Sequence, residues 1–468
     1  MSFTSRIKIE DLINNGSILV HKDGNHGAKY PRTEEFGELG VPFLTAKLLD
    51  NSGNIDLLKA PRLAKEKAQK FTFGFVQSED VLLSHNATVG RVAVMPQVDE
   101  PILIGTSLTH FRLDKSKILP TYLAAYFSGK DFQDQLAAVM SQTTRNQVPI
   151  TSQRKLYIEL PSIEIQAEIV KYIDSIDNKI RLNNKINQTL ESIAQAIFKS
   201  WFIDFDPVRA KIAAKQEGKD AELAAMCVIS GKSEEELKQM AEDDFAELQA
   251  TAALFPDELV ESELGEVPKG WDAIALGNFL EIKRGGSPRP IQNFMAPTGY
   301  PWVKIADATA DPSPFLFKTK EFIIKEGLRK TVYLKKGSLI LTNSATPGLP
   351  KFLELDACIH DGWLYFPQKK HFSDNYLYFL FLKLRTQLVA QGNGSVFTNL
   401  KTDILRNQVV LVPTKEVIEK FDLQVGKILE MMKTQCIQSS NLSDLRDTLL
   451  PKLLSDKVSV LGFQGEVA

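Results

Sequence analysis

A chain of 468 residues is too long to bury one hydrophobic core, so the sequence predicts two or more domains. Its 43% hydrophobic and 24% charged residues are ordinary for a soluble globular protein, and no apolar run is long enough for a membrane-spanning helix. The formal net charge of −2 becomes informative only when it is divided along the chain.

The three cysteines, Cys227, Cys358 and Cys436, are far apart and show no zinc-ligand spacing. This pattern argues against a structural metal site and favours a reducing compartment. The N-terminal stretch also lacks the apolar segment of a signal peptide, so we expect a cytoplasmic protein.

Residues 1–158 are predicted to form a first globular domain. Short strand-like runs, VPFLTA, DVLLSH, RVAVM and LTHFRL, are separated by Gly, Pro and Asn, and the amphipathic stretch TYLAAYFSGKDFQDQLAAVM follows them. This mixture predicts a mixed α+β globule.

A long helix is predicted over 159–205. It begins near Pro161, and apolar residues recur at three- and four-residue spacing from Ile165 to Ile180 and again from Leu190 through Ile193 to Ile197. Neither Gly nor Pro interrupts residues 162–206, so the pattern is typical of a coiled-coil seam.

The segment that follows, 206–266, is predicted to be an acidic helical connector. Residues 216–266 hold fifteen Asp and Glu against three lysines, a net charge of −12, which leaves +10 for the remainder of the chain. A basic body of this kind is compatible with binding a polyanion, although the acidic part reads equally well as a solvated connector.

Residues 267–412 predict a second mixed globule with the strand-like runs YPWVKI, GSLILT and GWLYF. A second long helix is predicted over 413–458, with seam positions at Phe421, Val425, Ile428 and Met432 and then at Leu442, Leu445 and Leu449, and residues 459–468 are predicted to form a tail.

The chain contains an internal repeat. SHNATVG at 84–90 matches TNSATPG at 342–348, and other features recur in the same order at offsets that drift slowly from 259 to 252. Collinear features of this kind predict two copies of one unit, each a globule followed by a helix.

The two helices can pair antiparallel, because the connector provides a long return path. The predicted fold class is therefore α/β (mixed α+β): two tandem globules joined by two long antiparallel coiled-coil helices, with an internal pseudo-two-fold repeat. Polar residues interrupt both seams at matching positions, Asn183 with Gln435 and Asn187 with Ser439. They either fix the register of the pair or lie at solvated ends or slight kinks.

Two similar surfaces in opposed orientation match the local dyad symmetry of duplex DNA, where each could read one half-site. At this point the residues resemble the specificity subunits of type I restriction-modification systems. The resemblance covers essentially the whole chain and is carried by LPSIEIQAEIVKYIDSIDNKI and the helix exit IFKSWFIDFDPVRAK, by FPDELVESELGEVPKGW and GYPWVKIADAT, and by LSDLRDTLLPKLLSDKV.

The resemblance implies two target-recognition domains that read a split double-stranded DNA sequence, with the helices setting the spacer. It also implies two methyltransferase subunits docked on the helices and restriction subunits recruited through them. Catalysis would belong to these partners. The assembled complex is expected to use S-adenosylmethionine, ATP and Mg²⁺, none of them bound by this chain.

The sequence shows no catalytic motif of its own. It has no GxxxxGK[ST] phosphate loop, no glycine-rich S-adenosylmethionine motif after a strand, and no defensible nuclease pattern. His21 and His26 are interpreted as surface polar residues rather than a metal pair, and RGGSPRP (284–290) as a basic flexible loop rather than a phosphate loop.

DNA affinity should come from Lys and Arg on phosphates, and specificity from Arg, Lys, Asn, Gln, Ser or Thr on base edges. For each loop the alternative is ordinary turn chemistry. In the first copy the candidate DNA-binding residues are Lys22, Lys29, Arg32, Ser84, His85, Asn86, Arg91, Thr144, Arg145, Asn146 and Gln147. In the second copy they are Lys283, Arg284, Ser287, Arg289, Lys304, Asn343, Ser344, Lys351, Asn393, Ser395, Thr398 and Asn399.

The predicted helix-packing or partner residues are Ile169, Ile176, Asn183, Leu190, Ile197, Trp201, Phe202, Ile428, Gln435, Leu442 and Leu449. The pair Trp201 and Phe202 either packs inside the protein or forms a hot spot for a methyltransferase partner.

Two other classes of function stay open from the residues alone. A structural scaffold with protein-binding globules would lack the steep salt dependence of DNA binding. A single-chain modification enzyme would methylate DNA without partners.

Overall fold

The computed structural model describes residues 5–24, 27–50, 53–141, 146–392 and 400–454. It divides into two compact units, one formed by residues 1–185 with 437–468 and one by residues 186–436. The division cuts both long helices, so each unit contains part of each helix.

The first unit is built from short strands and helices before the long helix. Its strands are β1 (Ser5–Lys8), β2 (Ile18–Asp23), β3 (Phe36–Gly37), β4 (Val41–Leu44), β5 (Arg62–Leu63), β6 (Phe75–Val76), β7 (Val81–Ser84), β8 (Val92–Val94), β9 (Ile102–Ile104), β10 (Leu108–Leu113) and β11 (Tyr157–Leu160). Its helices are α1 (Ile9–Asn14), α2 (Lys65–Ala68), α3 (Pro120–Ser128), α4 (Lys130–Met140), α5 (Ile150–Gln153) and the start of α6 (Ile163–Phe202).

The described residues of the first unit form three sheets: β2-β10-β7-β8, β3-β5-β4-β9-β6, and the pair β1-β11. All strand pairs are antiparallel except β4 with β9, which are parallel. The predicted runs VPFLTA, DVLLSH, RVAVM and LTHFRL supply β4, β7, β8 and β10. Phe111 of β10 and Tyr122 of α3 are both fully buried in one hydrophobic cluster.

The second unit begins with the connector. Its first elements are α7 (Asp206–Gln216), α8 (Ala221–Ser230), α9 (Glu234–Leu237), α10 (Glu242–Ala253), β12 (Leu259–Ser262) and β13 (Gly265–Pro268). The connector is thus four helices followed by a β-hairpin. Lys211 ties these parts together, because its buried ammonium donates to Glu222 and to the Phe255 carbonyl, both at 2.8 Å.

The rest of the second unit repeats the first. Its strands are β14 (Asp272–Ala275), β15 (Leu280–Arg284), β16 (Met295–Ala296), β17 (Tyr300–Val303), β18 (Phe315–Leu316), β19 (Phe322–Ile323), β20 (Val332–Leu334), β21 (Leu339–Thr342), β22 (Pro350–Leu353), β23 (Ala357–Ile359), β24 (Trp363–Lys369) and β25 (Val409–Val412). Its helices are α11 (Ile305–Ala310), α12 (Asp374–Gly392), α13 (Thr402–Arg406) and α14 (Lys415–Leu454).

Besides the connector hairpin β12-β13, the described part of the second unit contains the sheets β15-β24-β21-β22-β18, β16-β19-β17-β23-β20 and β14-β25. Apart from the added edge strand β18, each follows the strand order of its counterpart in the first unit. The parallel pair also recurs, as β17 with β23. The predicted internal repeat and mixed α+β fold are therefore confirmed at the level of strand order.

Within the first unit, α6 and α14 pack antiparallel. Asp177 of α6 accepts from Arg446 at 2.9 Å, and Asn183, further along α6, donates to Gln438 at 2.8 Å and to Ser439 at 3.2 Å. Asn183 is fully buried, which excludes the solvated-end alternative at this position. Its hydrogen bonds to the facing helix are those that a residue fixing the register would make.

Within the second unit, the same two helices also pack antiparallel. Asn187 donates to the Cys436 sulfur at 3.2 Å, and the ring centroids of Trp201 and Phe421 lie 6.1 Å apart. Trp201 and Phe202 are buried in the largest hydrophobic cluster, where Phe202 meets Tyr376 edge-on at 5.0 Å. Of the two interpretations of this pair, internal packing is the correct one.

The seam differs from the prediction at two equivalent positions. The sequence pattern places Ile193 and Leu445, 252 residues apart, in the seam, but their side chains are 44% and 46% exposed. Ala194 and Phe198 take the buried positions, because the seam advances by four residues after Leu190 rather than three.

The other predicted packing residues lie on the inner faces of the helices. Ile169, Ile176, Asn183, Trp201 and Phe202 are buried, and Leu190, Ile197, Ile428, Gln435, Leu442 and Leu449 are partly buried. None of the helices in the described ranges combines the length and apolar character needed to cross a membrane.

Candidate nucleic-acid interface

The turn after β7 and the turn after β21 have the same backbone hydrogen bonds. In the first, the Ser84 amide donates to the Arg91 carbonyl at 2.8 Å and the Gly90 amide to the Ser84 carbonyl at 2.9 Å. In the second, the Thr342 amide donates to the Leu349 carbonyl at 3.0 Å and the Gly348 amide to the Thr342 carbonyl at 2.8 Å. The sequence match SHNATVG/TNSATPG therefore marks one structural turn that occurs twice.

The hydroxyl and alanine positions of the motif are structural. The Ser84 hydroxyl accepts from the Arg91 amide at 2.8 Å, and the Thr342 hydroxyl accepts from the Leu349 amide at 2.8 Å. The alanines, Ala87 and Ala345, adopt left-handed φ values of 63° and 58°. These features shape the turn and leave its side chains at Asn86 and Ser344 partly exposed.

Four predicted DNA-binding residues face inward: Ser84, His85, Asn343 and Lys351 are buried. Lys351 donates to the main-chain carbonyls of Asp311, at 2.7 Å, and Ser313, and burial lowers the pKa of its ammonium to about 8. Since these side chains have almost no exposed surface, the structure does not support the prediction that they contact DNA. Arg91 is also committed internally, because it donates to the Leu49 carbonyl at 2.7 Å.

The remaining described candidates are exposed or partly exposed. They are Lys22, Lys29, Arg32, Asn86, Asn146 and Gln147 in the first unit, and Lys283, Arg284, Ser287, Arg289, Lys304 and Ser344 in the second. The others, Thr144, Arg145, Asn393, Ser395, Thr398 and Asn399, lie outside the described residues, as does His26.

Two predicted loops of the first unit meet. Asn86 pairs with Gln147 in an isolated antiparallel bridge, and the Ala87 amide donates to the Asn146 carbonyl at 3.1 Å. The exposed side chain of Asn146 therefore lies beside the turn 84–91. In the second unit, the Leu400 amide donates to the Asn343 carbonyl at 2.7 Å, the counterpart of Val148 donating to His85 at 2.8 Å.

The basic segment after β15 is packed rather than flexible. The amide of Gly285 donates to the Trp363 carbonyl at 2.9 Å, and that of Gly286 to the Ile359 carbonyl at 3.1 Å. A Cβ atom at Gly285 would lie 2.2 Å from the His360 carbonyl oxygen, so glycine is required by close backbone approach. These two amides are therefore occupied and not available to cradle a phosphate, and the first part of RGGSPRP is held against the neighbouring strands.

Asp361, which the sequence did not single out, joins the predicted loops of the second unit. Its carboxylate accepts from the Ser287 hydroxyl at 2.8 Å and lies 3.4 Å from Arg289, and its carbonyl accepts from Arg284 at 2.9 Å. The repeat could have pointed to this position. In the first unit the residue at the same place, between β9 and β10, is Thr106.

A buried hydrogen-bond chain lies behind the turn of the first unit. The Gln153 amide group donates to the Val148 carbonyl at 2.9 Å and to the Thr109 hydroxyl at 3.0 Å, so its oxygen accepts from His21 Nε2 at 3.1 Å. The Thr109 hydroxyl in turn donates to His85 Nδ1 at 2.9 Å. His21 is thus a buried residue stacked on Phe111, and its interpretation as a surface residue is wrong.

The first unit is expected to lose stability as pH falls from 7 to 5. Burial lowers the pKa of His21 from 6.5 to about 4, so the unfolded chain takes up the proton first in this window. The linkage corresponds to about 2 kcal/mol by pH 5. Amide hydrogen exchange in β2 and β10, corrected for intrinsic rates, should show this loss, and His21→Gln should reduce it.

The matched control is His371→Gln in the second unit, which should leave the exchange of β2 and β10 unchanged. Equal pH dependence in wild type and His21→Gln would rule out His21 as the source.

Comparison with known proteins places the chain in a family. The family model described as "Type I restriction modification DNA specificity domain" matches residues 8–192 and 268–441, once in each repeat. The HindI specificity subunit of Haemophilus influenzae is 32% identical over 397 residues, covering 79% of this chain and 84% of that protein. The MjaIX specificity subunit of Methanocaldococcus jannaschii is 24% identical over 446 residues, covering 93% and 91%.

Solved structures give a weaker likeness. The type I restriction-modification S subunit from M. genitalium aligns over 96% of both chains with a TM-score of 0.46 and 12% identity. The HsdS subunit from Thermoanaerobacter tengcongensis aligns over 98% of both chains with a TM-score of 0.34 and 14% identity. The sequence matches decide the assignment, and this chain belongs to the family of type I restriction-modification DNA specificity subunits.

Proposed function

We propose that this protein is the sequence-reading subunit of a type I restriction-modification complex and that each unit reads one part of a split DNA target. The observation that carries the proposal is the repeated turn, which has one backbone geometry in both units but different exposed side chains. Asn86 is matched by Ser344, and the neighbouring positions Asp23 and Thr106 are matched by Arg284 and Asp361.

Exposed basic residues also lie in the other predicted DNA-binding segments of both units. In the first unit they are Lys22, Lys29 and Arg32, and in the second Lys283, Arg284 and Arg289. Such side chains neutralise phosphates and supply sequence-independent affinity, while polar side chains beside them can reach base edges. Two copies of this arrangement with different polar residues suit two different half-sites.

The test is a domain exchange. Residues 1–155 are replaced by the corresponding domain of another family member, and the methylated motif is determined in cells that also express the methyltransferase partner. One half of the motif should change and the other half and the spacer should stay. A motif changed in both halves, or in neither, would contradict the proposal.

We propose that the methyltransferase subunits dock on the long helices near Ile193 and Leu445. These apolar side chains are exposed at equivalent positions of the repeat, so two copies of one partner could use them in the same way. The arrangement supports one partner site in each unit, and restriction subunits would join through the assembled complex.

Ile193→Asp and Leu445→Asp are each expected to weaken methyltransferase binding at least about ten-fold, because a charge in an apolar contact is costly. Titration of the labelled subunit, with the number of bound copies counted by native mass spectrometry, measures this. Gln188→Asp, at an exposed polar position of α6, is the control. Wild-type affinity in both variants would exclude this surface.

We further propose that the complex works in the cytoplasm and that its methyltransferase and nuclease activities, with S-adenosylmethionine, ATP and Mg²⁺, belong to the partner subunits. The sequence has no phosphate-loop motif, and among the described residues no three His, Cys, Asp or Glu side chains form a metal-binding group. The purified chain with DNA and S-adenosylmethionine should yield methylated product only after the methyltransferase is added.

A further inference from the structure

Two segments of the second unit that are distant from each other in sequence, 284–289 and 342–348, meet at Asp361, between β23 and β24. From the end of β15, Arg284 donates to the Asp361 carbonyl at 2.9 Å. From the following loop, the Ser287 hydroxyl donates to one carboxylate oxygen at 2.8 Å, and Arg289 lies 3.4 Å from the other. The main chain and the side chain of one residue thus hold both arginines and the serine.

The other segment is the repeated turn, 342–348. Asn343 donates from its side chain to the Asp361 carbonyl at 3.2 Å and from its amide to the Gly362 carbonyl at 2.8 Å. Because Asn343 is buried, it cannot itself contact DNA, but it fixes the turn to the Asp361 position. Asp361 therefore connects the basic loop 284–289 with the turn 342–348.

The groups around Asp361 favour the ionised form of its carboxyl group. Partial burial alone would raise the pKa of its carboxyl group, but the Ser287 hydrogen bond and the nearby His360, Arg289 and Arg284 together lower it. The side chain is 46% exposed, so it lies at the protein surface beside two exposed arginines.

The described residues of the first unit carry different side chains at the equivalent positions. The position of Asp361 is taken there by Thr106, between β9 and β10, and that of Arg284, at the end of β15, by Asp23 at the end of β2. The backbone scaffold is shared, since a Cβ at Gly24 would lie 2.3 Å from the Ile104 carbonyl oxygen, as Gly285 approaches His360 in the second unit. The two units thus share this backbone arrangement, and the carboxylate with two arginines is a chemical difference between them.

We infer that Asp361 is a positioning residue for the second recognition unit: it holds Arg284, Ser287 and Arg289 in the arrangement that selects this unit's half of the DNA target. The inference rests on the proposed function. A carboxylate beside a polyanion is unfavourable for unspecific DNA binding, whereas fixed arginines favour one bidentate geometry on a base edge or phosphate. Asp361 should therefore strengthen binding to the target sequence and weaken binding to unrelated DNA.

The test compares Asp361→Asn and Asp361→Ala in the complex of the full chain with its methyltransferase. Duplexes carry the methylated motif, single substitutions in either half, or an unrelated sequence. Asp361→Ala should weaken binding to the motif roughly ten-fold or more, in line with lost hydrogen bonds to charged groups. It should leave unspecific binding equal or tighter, because one negative charge is removed. Asp361→Asn, which keeps an acceptor for Ser287, should show a smaller loss.

The second readout is the selectivity of the complex for the motif over duplexes with single substitutions. Asp361→Ala should relax selectivity only against substitutions in the half that the domain exchange assigns to the second unit. The control is Asp356→Ala in the same unit, whose carboxylate holds Lys335 at 2.7 Å and accepts from the Lys336 amide at 2.9 Å. This variant should retain wild-type selectivity, and thermal unfolding should show both variants folded.

Unchanged selectivity in Asp361→Ala, equal relaxation of both halves, or the same behaviour in Asp356→Ala would overturn the inference. If Asp361→Ala does not fold, Asp361→Asn is tested in its place. Unchanged selectivity in Asp361→Asn would then overturn the inference. These results leave the proposed function standing when the wild-type complex binds a split motif. Failure of the wild type to prefer any split motif would instead refute the proposed function.

Discussion

Replacing Trp201 with alanine is expected to lower the free energy of unfolding of the second unit by about 3–5 kcal/mol, the range for emptying a large aromatic site in a core. Trp201 is 2% exposed, and its ring lies 5.1 Å from that of Phe255 in the connector and 6.1 Å from that of Phe421 in α14. The Trp201 side chain thus connects its own helix, α6, with α14 and the connector. Removing it takes packing contacts away from all three elements.

Tryptophan fluorescence during urea unfolding measures this loss selectively. All four tryptophans of the chain, Trp201, Trp271, Trp302 and Trp363, belong to the second unit, and three remain in the variant. Ile193→Ala on the same helix is the matched control, and its cost should be below about 1 kcal/mol because the side chain is largely exposed. A loss below that level for Trp201→Ala would restore its interpretation as a partner contact.

Removing facing segments of seven residues from both helices, 176–182 and 440–446, is expected to shorten the spacer between the half-sites by about three base pairs. Seven residues of helix span about 10 Å, and the DNA rise is about 3.4 Å per base pair. The deletion removes the Asp177–Arg446 ion pair as a whole and keeps Asn183 opposite Ser439, so the seven-residue period and the helix register are preserved.

The recognition surfaces should survive this deletion. The hydrophobic cluster of the first unit takes in α6 as far as Ile173 and α14 at Leu449, outside the removed segments. Methylated-motif sequencing should therefore report both half-sites unchanged with a shorter gap. Deletion of 176–182 alone is the control and should abolish methylation, because the helices then meet out of register. An unchanged gap after the double deletion would refute the role of the helices as spacer.

Much of the fold was predictable because it depends on local patterns. Alternating apolar runs bounded by Gly, Pro and Asn placed β7, β10 and β21 within a residue or two, and the absence of Gly and Pro after 162 predicted α6. The repeat was predictable because turn chemistry constrains sequence: the hydroxyl at Ser84 or Thr342 and the glycine at Gly90 or Gly348 are required by the same hydrogen bonds.

The site was less predictable, because burial of polar groups depends on contacts between distant segments. Ser84 and Lys351 are residue types that commonly contact DNA, but here they are buried and form their hydrogen bonds inside the protein. Asp361 was missed because its partners Ser287 and Arg284 lie 74 and 77 residues away. The predicted burial of Ile193 is wrong because the seam is shifted there by one residue, which moves the side chain from the helix–helix interface to solvent.

The central claim is that two units of one chain read two parts of one DNA target. Methylome sequencing of cells that express this chain with its methyltransferase tests it most directly. The structure and the family predict one motif of two fixed adenine-methylated half-sites separated by a constant unspecified spacer. A contiguous motif, or a methylome unchanged by expression of the chain, would contradict it.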